Sequence, residues 1–256
     1  MTLRTLSPAP RVGAKSLLHT LSLSLALASS LAAAQPDFSG VWMAIGVVNP
    51  EGGSTAAQLT DAGKARMEAF ASQFSEIPEM GAACVGSGMP DVMMSLVSYP
   101  IEMVQNDSRI LMVAELETQV RRVYIDGRAP APATFPTTVG FSSARFEGDT
   151  LVVDTTHLEE WPVGRWPRSE SATIRETFSL TTMDKVDVQR SGFIAGVIPP
   201  LNDDVLVVDL TITDPAYYQG PQRRIVYYQR MPDDATGEYA CSQGLWYDDL
   251  ENYRIQ

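Results

Sequence analysis

The sequence predicts an all-β fold, a single antiparallel barrel with one peripheral helix. Nine or ten short segments rich in β-branched and aromatic residues recur at regular spacing after residue 34. Turn-forming residues separate these segments, and a single segment shows apolar residues at helical spacing. Many short strands with even spacing are typical of a barrel or sandwich, and the chain length suits one such domain.

Residues 1–34 are predicted to be a secretory signal peptide that precedes one domain spanning residues 35–256. An apolar run over residues 17–31 ends at Ala32-Ala33-Ala34, an A-x-A cleavage pattern. The run is too short and too rich in Ser and Ala for a membrane anchor, and no later run is long enough to span a bilayer. The basic residues of the leader precede the run: Arg4, Arg11 and Lys15. We therefore expect a periplasmic or secreted protein.

The chain is strongly acidic, with a formal net charge of −12 that becomes more negative once the basic leader is removed. Such a surface repels phosphate backbones, so a nucleic-acid partner is not expected. The chain has two cysteines, Cys84 and Cys241. An even count in an exported protein predicts one disulfide, which would close a long loop. The only histidine after the leader is not placed beside either cysteine by the sequence, so a thiol catalyst is disfavoured.

The first half of the domain is predicted to hold four strands and the helix. The opening strand covers residues 41–48, and the helix follows Leu59 with Thr60 or Asp61 as its N-cap. Apolar residues at three- and four-residue spacing predict the packing face of this helix: Gly63, Met67, Phe70 and Phe74. A Gly- and Pro-rich loop over 77–90 precedes a three-stranded meander at residues 101–105, 109–117 and 120–126.

The second half is predicted to be a series of hairpins. The clearest spans residues 140–156, where Glu147-Gly148-Asp149-Thr150 forms a tight turn between two alternating segments. An irregular loop over 158–171 follows it. The remaining strands are predicted at residues 172–181, 185–191, 205–213 and 223–230.

The 140–156 hairpin resembles the signature of a large uncharacterised family of secreted bacterial proteins, Gly-His-Ser-Ile-Gly-x-Trp-Glu-Gly-Asp-Thr-Leu-Val-Val-Asp-Thr. Further similarities lie in Asp37-Phe-Ser-Gly-Val-Trp42, in Arg121-Arg-Val-Tyr-Ile-Asp-Gly-Arg128 and in Glu238-Tyr-Ala-Cys241. The opening Gly40-x-Trp42 is also similar to the first strand of lipocalin-like barrels, in which the Trp plugs the closed end. The resemblance implies a secreted lipocalin- or calycin-like barrel and supplies no established activity.

The chain departs from that signature at positions that matter for chemistry. Phe141 replaces the family's His after Gly140, Arg168 replaces a second His, and Phe146 replaces Trp. An imidazole-dependent metal site or proton transfer is therefore not expected here, and no zinc or calcium spacing occurs elsewhere. We predict neither a metal nor a cofactor.

Asp154 is the candidate general base, with Arg145, Arg121 or Arg122 as its partner. On the second strand of the hairpin it shares a face with Val152, so we expect it to be buried and paired. The pair is either a structural ion pair or a carboxylate that takes part in binding or catalysis. His157 is the second catalytic candidate because imidazole titrates near neutral pH, although a lone loop histidine is more often a surface residue.

The candidate ligand-binding residues are Arg145 and Arg122 with three aromatic residues, Tyr124, Trp161 and Trp166. Aromatic side chains on strands usually belong to the core, but these could stack on an apolar ligand. No nucleophile elbow, phosphate loop or dinucleotide motif occurs. We expect a small apolar or aromatic molecule held in a cavity at the barrel mouth. The alternatives are a cofactor-free lyase, isomerase or hydratase that uses the same cavity, and a structural envelope protein with a filled core. Whether the protein is an enzyme stays open, as does its oligomeric state.

Overall fold

The structure is a computed structural model that describes residues 35–73, 86–94, 99–186, 203–233, 236–237 and 239. The chain divides into two compact units, residues 1–34 and 35–256, and the description that follows concerns the second. Its described residues form nine strands that close into one barrel, with β1 hydrogen-bonded to β9. The predicted all-β barrel is confirmed. The strands are β1 Gly40–Val48, β2 Ile101–Gln105, β3 Arg109–Ala114, β4 Gln119–Tyr124, β5 Phe141–Glu147, β6 Thr150–Thr156, β7 Thr173–Thr182, β8 Asp204–Thr213 and β9 Gln222–Met231.

One pair of neighbouring strands is parallel, which the prediction of a wholly antiparallel barrel missed. β4 and β5 run in the same direction with the register Val123↔Ser142 and Tyr124↔Ser143. A closed barrel in which every neighbour is antiparallel needs an even number of strands, so a ninth strand forces a parallel pair. Residues 125–140 supply the crossover that a parallel connection requires.

The two ends of the barrel differ in how the strands are joined. The short turns at residues 106–108 and 148–149 lie at the end where β1 begins. Aromatic rings fill this closed end, where Phe38 lies 6.4 Å from Phe146 and 6.2 Å from Phe178 between ring centroids. Trp42 is fully buried beside them and donates its indole hydrogen to the carbonyl of Phe38 at 2.9 Å. The closed end is therefore packed with apolar side chains.

Three connections join strand ends at the opposite end, which we call the mouth: β1 to β2, β6 to β7 and β8 to β9. Their described residues include 49–60, 86–94, 157–172 and 214–221. Loops carry binding and catalytic groups more often than strands do, because they are positioned by a rigid scaffold without being part of it. The mouth is therefore the place to look for a site.

The peripheral helix α1 spans Asp61–Gln73 and begins as predicted. Thr60 is its N-cap, since its hydroxyl accepts from the amide of Gly63 at 3.0 Å. Gly63 is buried against Tyr217, and a Cβ at this position would lie 2.8 Å from the Tyr217 carbonyl oxygen. Met67 and Phe70 follow on the same partly buried face, as predicted, whereas Phe74 lies outside the described residues.

A second, four-residue helix α2 at Asp91–Met94 lies at the mouth, close to the loop that we predicted over 77–90. Two of the predicted strands also differ from the structure. β3 ends at Ala114, because Glu117 and Thr118 adopt positive φ and turn the chain. The strand predicted over 185–191 begins in a 3₁₀ turn at Met183–Lys185, and residues 187–191 lie outside the described part. Among the described helices, none has the length and apolar character to cross a membrane.

The β5–β6 hairpin agrees with prediction residue by residue. Glu147 pairs with Thr150, which leaves Gly148 and Asp149 as a two-residue loop. Gly148 has a φ of +62°, which the first central position of a type II′ hairpin turn requires. The glycine of the signature is therefore explained by backbone geometry.

Candidate functional site at the barrel mouth

A buried ion pair occupies the interior of the barrel. Arg121 on β4 and Glu176 on β7 are bidentate partners, with Nη1 3.0 Å from Oε1 and Nη2 in contact with Oε2. Their side chains are 3% and 0% exposed. A charge buried this completely is tolerated only with a hydrogen-bonded counter-charge.

Two hydroxyl groups complete the coordination of this guanidinium. Arg121 Nε donates to Ser142 at 3.1 Å and Nη2 donates to Thr155 at 3.0 Å, and the two hydroxyls are 2.9 Å apart. Each polar group of the cluster therefore has a partner within the protein. This arrangement is typical of a structural network, and it uses the hydrogen-bonding capacity that a ligand would need.

The short helix α2 and Met89, two residues before it, close the barrel at the mouth. Met89, Val92, Met93 and Met94 are all buried. Tyr228 on β9 donates its hydroxyl hydrogen to the carbonyl of Met93, and burial raises the pKa of Tyr228. These side chains fill the upper part of the barrel, so the site that remains accessible lies above α2.

A pocket of about 300 Å³ lies above α2, at the lower end of the roughly 300–1,000 Å³ range of small-molecule sites. Its walls combine apolar side chains, two hydroxyls and one guanidinium. They are formed by Val47, Ser54, Thr55, Ala56, Met94, Arg165 and Trp166. Three segments thus converge on it: the end of β1 with the loop that follows, α2, and the 157–172 loop.

Trp166 is held in the pocket wall by contacts on its other sides. The guanidinium of Arg224 lies 5.0 Å from its ring centroid, and Tyr218 stands edge-on at 6.2 Å. Arg224 in turn donates to the carbonyls of Thr55 and Ala56, at 2.9 and 2.8 Å. The same guanidinium therefore fixes both the tryptophan and the loop that faces it, which makes the pocket preformed.

A carboxyl and a guanidinium with unsatisfied atoms lie beneath this wall. Asp91 Oδ2 and Arg168 Nε are buried and make no hydrogen bond to any described residue. Burial raises the pKa of Asp91 to about 7, against the opposing charge of Arg168, and lowers the pKa of Arg168 to about 10. The other nitrogens of Arg168 donate to the carbonyls of Ser87 at 2.9 Å and Thr138 at 3.1 Å. Perturbed buried groups of this kind cluster at functional sites.

The expected burial of Asp154 is wrong. Its side chain is 43% exposed on the outside of the barrel, 3.2 Å from Arg145 and 3.6 Å from Arg175. Leu151, Val153 and Thr155 take the inward positions, because their apolar or hydrogen-bonded side chains can be buried at lower cost. Asp154 and Arg145 are thus brought together as predicted, but on a solvated face and away from any described pocket.

Tyr124, Arg122 and His157 do not line the mouth pocket. Tyr124 faces outward, stacked on Phe141 at 5.3 Å, and Arg122 is exposed on the same strand. His157 adopts a φ of +56° at the end of β6, and its Nδ1 lies 2.9 Å from the hydroxyl of Thr156. This local contact supplies no second catalytic group.

Of the predicted aromatic binding residues, Trp166 lines the pocket, whereas Trp161 does not. Trp161 pairs with Arg168 through two backbone hydrogen bonds of 2.8 Å, and the guanidinium lies 5.9 Å from the indole ring. Cys84 and Cys241 lie outside the described residues, so the predicted disulfide stays a prediction. Arg165, Asp91 and Met94, which the sequence analysis did not select, complete the mouth.

Among the described residues, no three His, Cys, Asp or Glu side chains lie close enough together to hold a metal ion. Comparison with known proteins adds no name to this geometry. No protein-family model matches the chain, and no curated protein matches it either.

Proposed function

We propose that the protein binds a small apolar or aromatic molecule in the pocket at the barrel mouth. The observation that supports this proposal is the preformed wall of Trp166, held by Arg224 and Tyr218, opposite Val47 and Met94. An apolar pocket with a few placed polar groups is the usual form of a small-molecule site. The sequence analysis also expects the ligand at the barrel mouth, but Arg145, Arg122 and Tyr124, which it names as contacts, do not line this pocket.

Thermal stabilisation by a panel of aromatic acids, steroids and fatty acids tests the proposal. A ligand that binds the folded state alone raises stability by about 2.7 kcal/mol at a hundredfold excess over its Kd, which is visible as a rise in Tm. We expect at least one class of the panel to give such a rise. The absence of a shift with every compound would argue for the remaining alternative, a structural envelope protein with a filled barrel.

A blocking variant ties any such shift to the mouth. Ala56 lines the pocket with an exposed side chain, so Ala56→Trp should occupy the space without disturbing the core. Ala131→Trp is the matched control, since Ala131 is equally exposed and lies in the crossover, away from the pocket walls. We expect the ligand-induced shift to disappear in the first variant and to persist in the second. Loss in neither variant would place the ligand elsewhere.

One observation favours a second candidate, a cofactor-free lyase, isomerase or hydratase. Asp91 is a buried carboxyl whose pKa of about 7 suits proton transfer at neutral pH. It would take the role of base that the sequence analysis gave to Asp154 or His157. Once a ligand of the pocket is known, its turnover should stop in Asp91→Asn and continue in Asp154→Asn. Equal turnover in both variants would exclude Asp91 as the base.

We also propose that the chain is exported, that it belongs to the secreted family whose hairpin signature it resembles, and that Cys84 is bonded to Cys241. The described residues that flank the two cysteines support the disulfide. The amide of Ser87 donates to Glu117 at 2.8 Å, and the amide of Gly237 donates to Glu115 at 2.6 Å. Both segments therefore contact the same turn between β3 and β4. Sequencing the N-terminus of the exported protein tests cleavage before Gln35.

A further inference from the structure

We infer that the molecule held at the mouth carries an anionic group, most simply an aromatic carboxylate, and that Arg165 binds that group. This inference rests on the proposed binding function and adds the chemical class of the ligand. It comes from the state of the positive charges around the pocket.

Arg165 lines the pocket with an exposed side chain and makes no hydrogen bond or ion pair with the described residues. Most other arginines of the described part form ion pairs with carboxylates of the protein. The examples are Arg66 with Glu160, Arg121 with Glu176, Arg128 with Asp126, Arg145 with Glu147, Arg175 with Asp154, Arg223 with Asp209 and Arg230 with Asp204. In a chain of net charge −12, a guanidinium left open in a pocket wall is suited to an anion from outside.

Two further guanidinium groups behind the wall strengthen the positive potential. Arg168 and Arg224 donate hydrogen bonds to backbone carbonyls, which are neutral and leave the positive charge of each group in place. The carboxylates that act on them from farther away are Asp91 and Glu159 on Arg168, and Glu51 on Arg224. Burial raises the pKa of Asp91 to about 7, so at neutral pH this carboxyl offsets only part of the positive charge.

The rest of the pocket sets what the anion is attached to. Trp166, Met94 and Val47 offer apolar surface, while Ser54 and Thr55 add hydroxyls at the rim. If the flat apolar part of a ligand packs against Trp166, Met94 and Val47, its terminal carboxylate lies toward Arg165. Asp91 acts on Arg165 from farther away but forms no ion pair with it. A neutral ligand would therefore leave the guanidinium without a directly bonded counter-charge, and a cation would be repelled by three arginines.

The test compares three probes that share one ring system: 2-naphthoate, 2-naphthalenemethanol and 2-naphthylmethylammonium. Calorimetric titration of the full chain should show naphthoate binding roughly tenfold or more tightly than the alcohol, because charge-assisted hydrogen bonds are about twice as strong as neutral ones. The ammonium compound should bind most weakly.

Arg165→Gln should remove the preference, lowering naphthoate affinity at least tenfold and leaving alcohol affinity within about twofold. Arg122→Gln is the matched control, because it removes one exposed positive charge from the outer face of β4, and it should leave both affinities unchanged. Arg165 is exposed, so circular dichroism should show both variants folded.

The outcomes separate the two proposals. Equal binding of naphthoate and alcohol, or an anion preference that survives Arg165→Gln, overturns the inference while the binding function stands. Binding of none of the three probes overturns the inference, and the wider thermal panel then decides the binding function on its own.

Discussion

Asp154 and Glu176 show how far the sequence predicts which charged residues are buried. Asp154 lies in the predicted hairpin, but it is exposed, because Leu151, Val153 and Thr155 take the inward positions of its strand. Glu176 carried a signal that was available in the sequence: it stands between the apolar residues Ile174 and Phe178 on the inward face of an alternating strand. A charge at such a position predicts a buried partner.

The Arg121–Glu176 pair predicts a strong effect of a single substitution. Glu176→Gln leaves the guanidinium buried without its counter-charge, and we expect a loss of roughly 3–5 kcal/mol in the free energy of unfolding. The double variant Arg121→Met/Glu176→Leu should be more stable than Glu176→Gln, since it removes both charges. Urea denaturation of the wild type and the two variants measures this, and a double variant no more stable than Glu176→Gln would contradict it.

Asp91 predicts how stability depends on pH. Its pKa is raised from about 3.9 in the unfolded chain to about 7 in the fold, so the native state binds the extra proton between these values. Stability from this group is therefore fully present near pH 4 and falls as the pH rises through 7. Linkage sets the size of the fall at roughly 2–4 kcal/mol.

Asp91→Asn should flatten that part of the profile and should unfold at higher denaturant than the wild type at pH 8. Asp107→Asn, at an exposed turn, is the control and should reproduce the wild-type profile. Identical pH profiles for Asp91→Asn and the wild type would show that Asp91 titrates normally.

At the scale of elements, strands and caps were predictable because their signals are local. Sequence patterns located all nine strands of the described part, and Thr60 was one of the two residues predicted as the helix cap. The helix α2 was missed because four residues are too few to show a period. Its burial depends on the barrel around it, which is information that a local window does not contain.

The hairpin turn allows a matched test of backbone conformation. A Cβ at Gly148 meets nothing within 4 Å, so Gly148→Ala changes the backbone term alone. With φ at +62°, we expect a loss of about 1–2 kcal/mol. Gly220 has equally open surroundings without a positive φ, and Gly220→Ala should be neutral or slightly stabilising. Equal effects in thermal denaturation would show that turn geometry does not decide the choice of glycine.

At the scale of the whole molecule, composition and spacing predicted a barrel. They did not predict its odd number of strands, which requires a parallel pair, or the helix α2 that closes the barrel at the mouth. Both depend on contacts between distant segments. The pocket draws its walls from residues 47, 54–56, 94 and 165–166, which no short motif connects. A site of this kind becomes visible only once the barrel has brought its loops together.

The predicted disulfide is a property of the whole chain. If Cys84 and Cys241 are joined, closure of the long loop contributes up to roughly 5 kcal/mol in the chain-entropy model. The variants Cys84→Ser and Cys241→Ser should then show the same decrease in Tm, and the decrease in the double variant should be no larger. Mass spectrometry after alkylation without reductant should find neither cysteine modified. Modification of both would show free thiols.

The parallel pairing of β4 with β5 also bears on how the barrel opens. Its ladder is confined to Val123↔Ser142 and Tyr124↔Ser143, whereas β7 and β8 pair along their whole length. The side chain of Arg121 crosses this short seam, reaching from β4 to Ser142 on β5, Thr155 on β6 and Glu176 on β7. The guanidinium therefore connects these strands through side-chain hydrogen bonds where backbone hydrogen bonds are few. In Glu176→Gln, amide hydrogen exchange should accelerate more in β4 and β5 than in the other strands. Such a pattern would mean that the barrel opens locally between β4 and β5 before it unfolds as a whole.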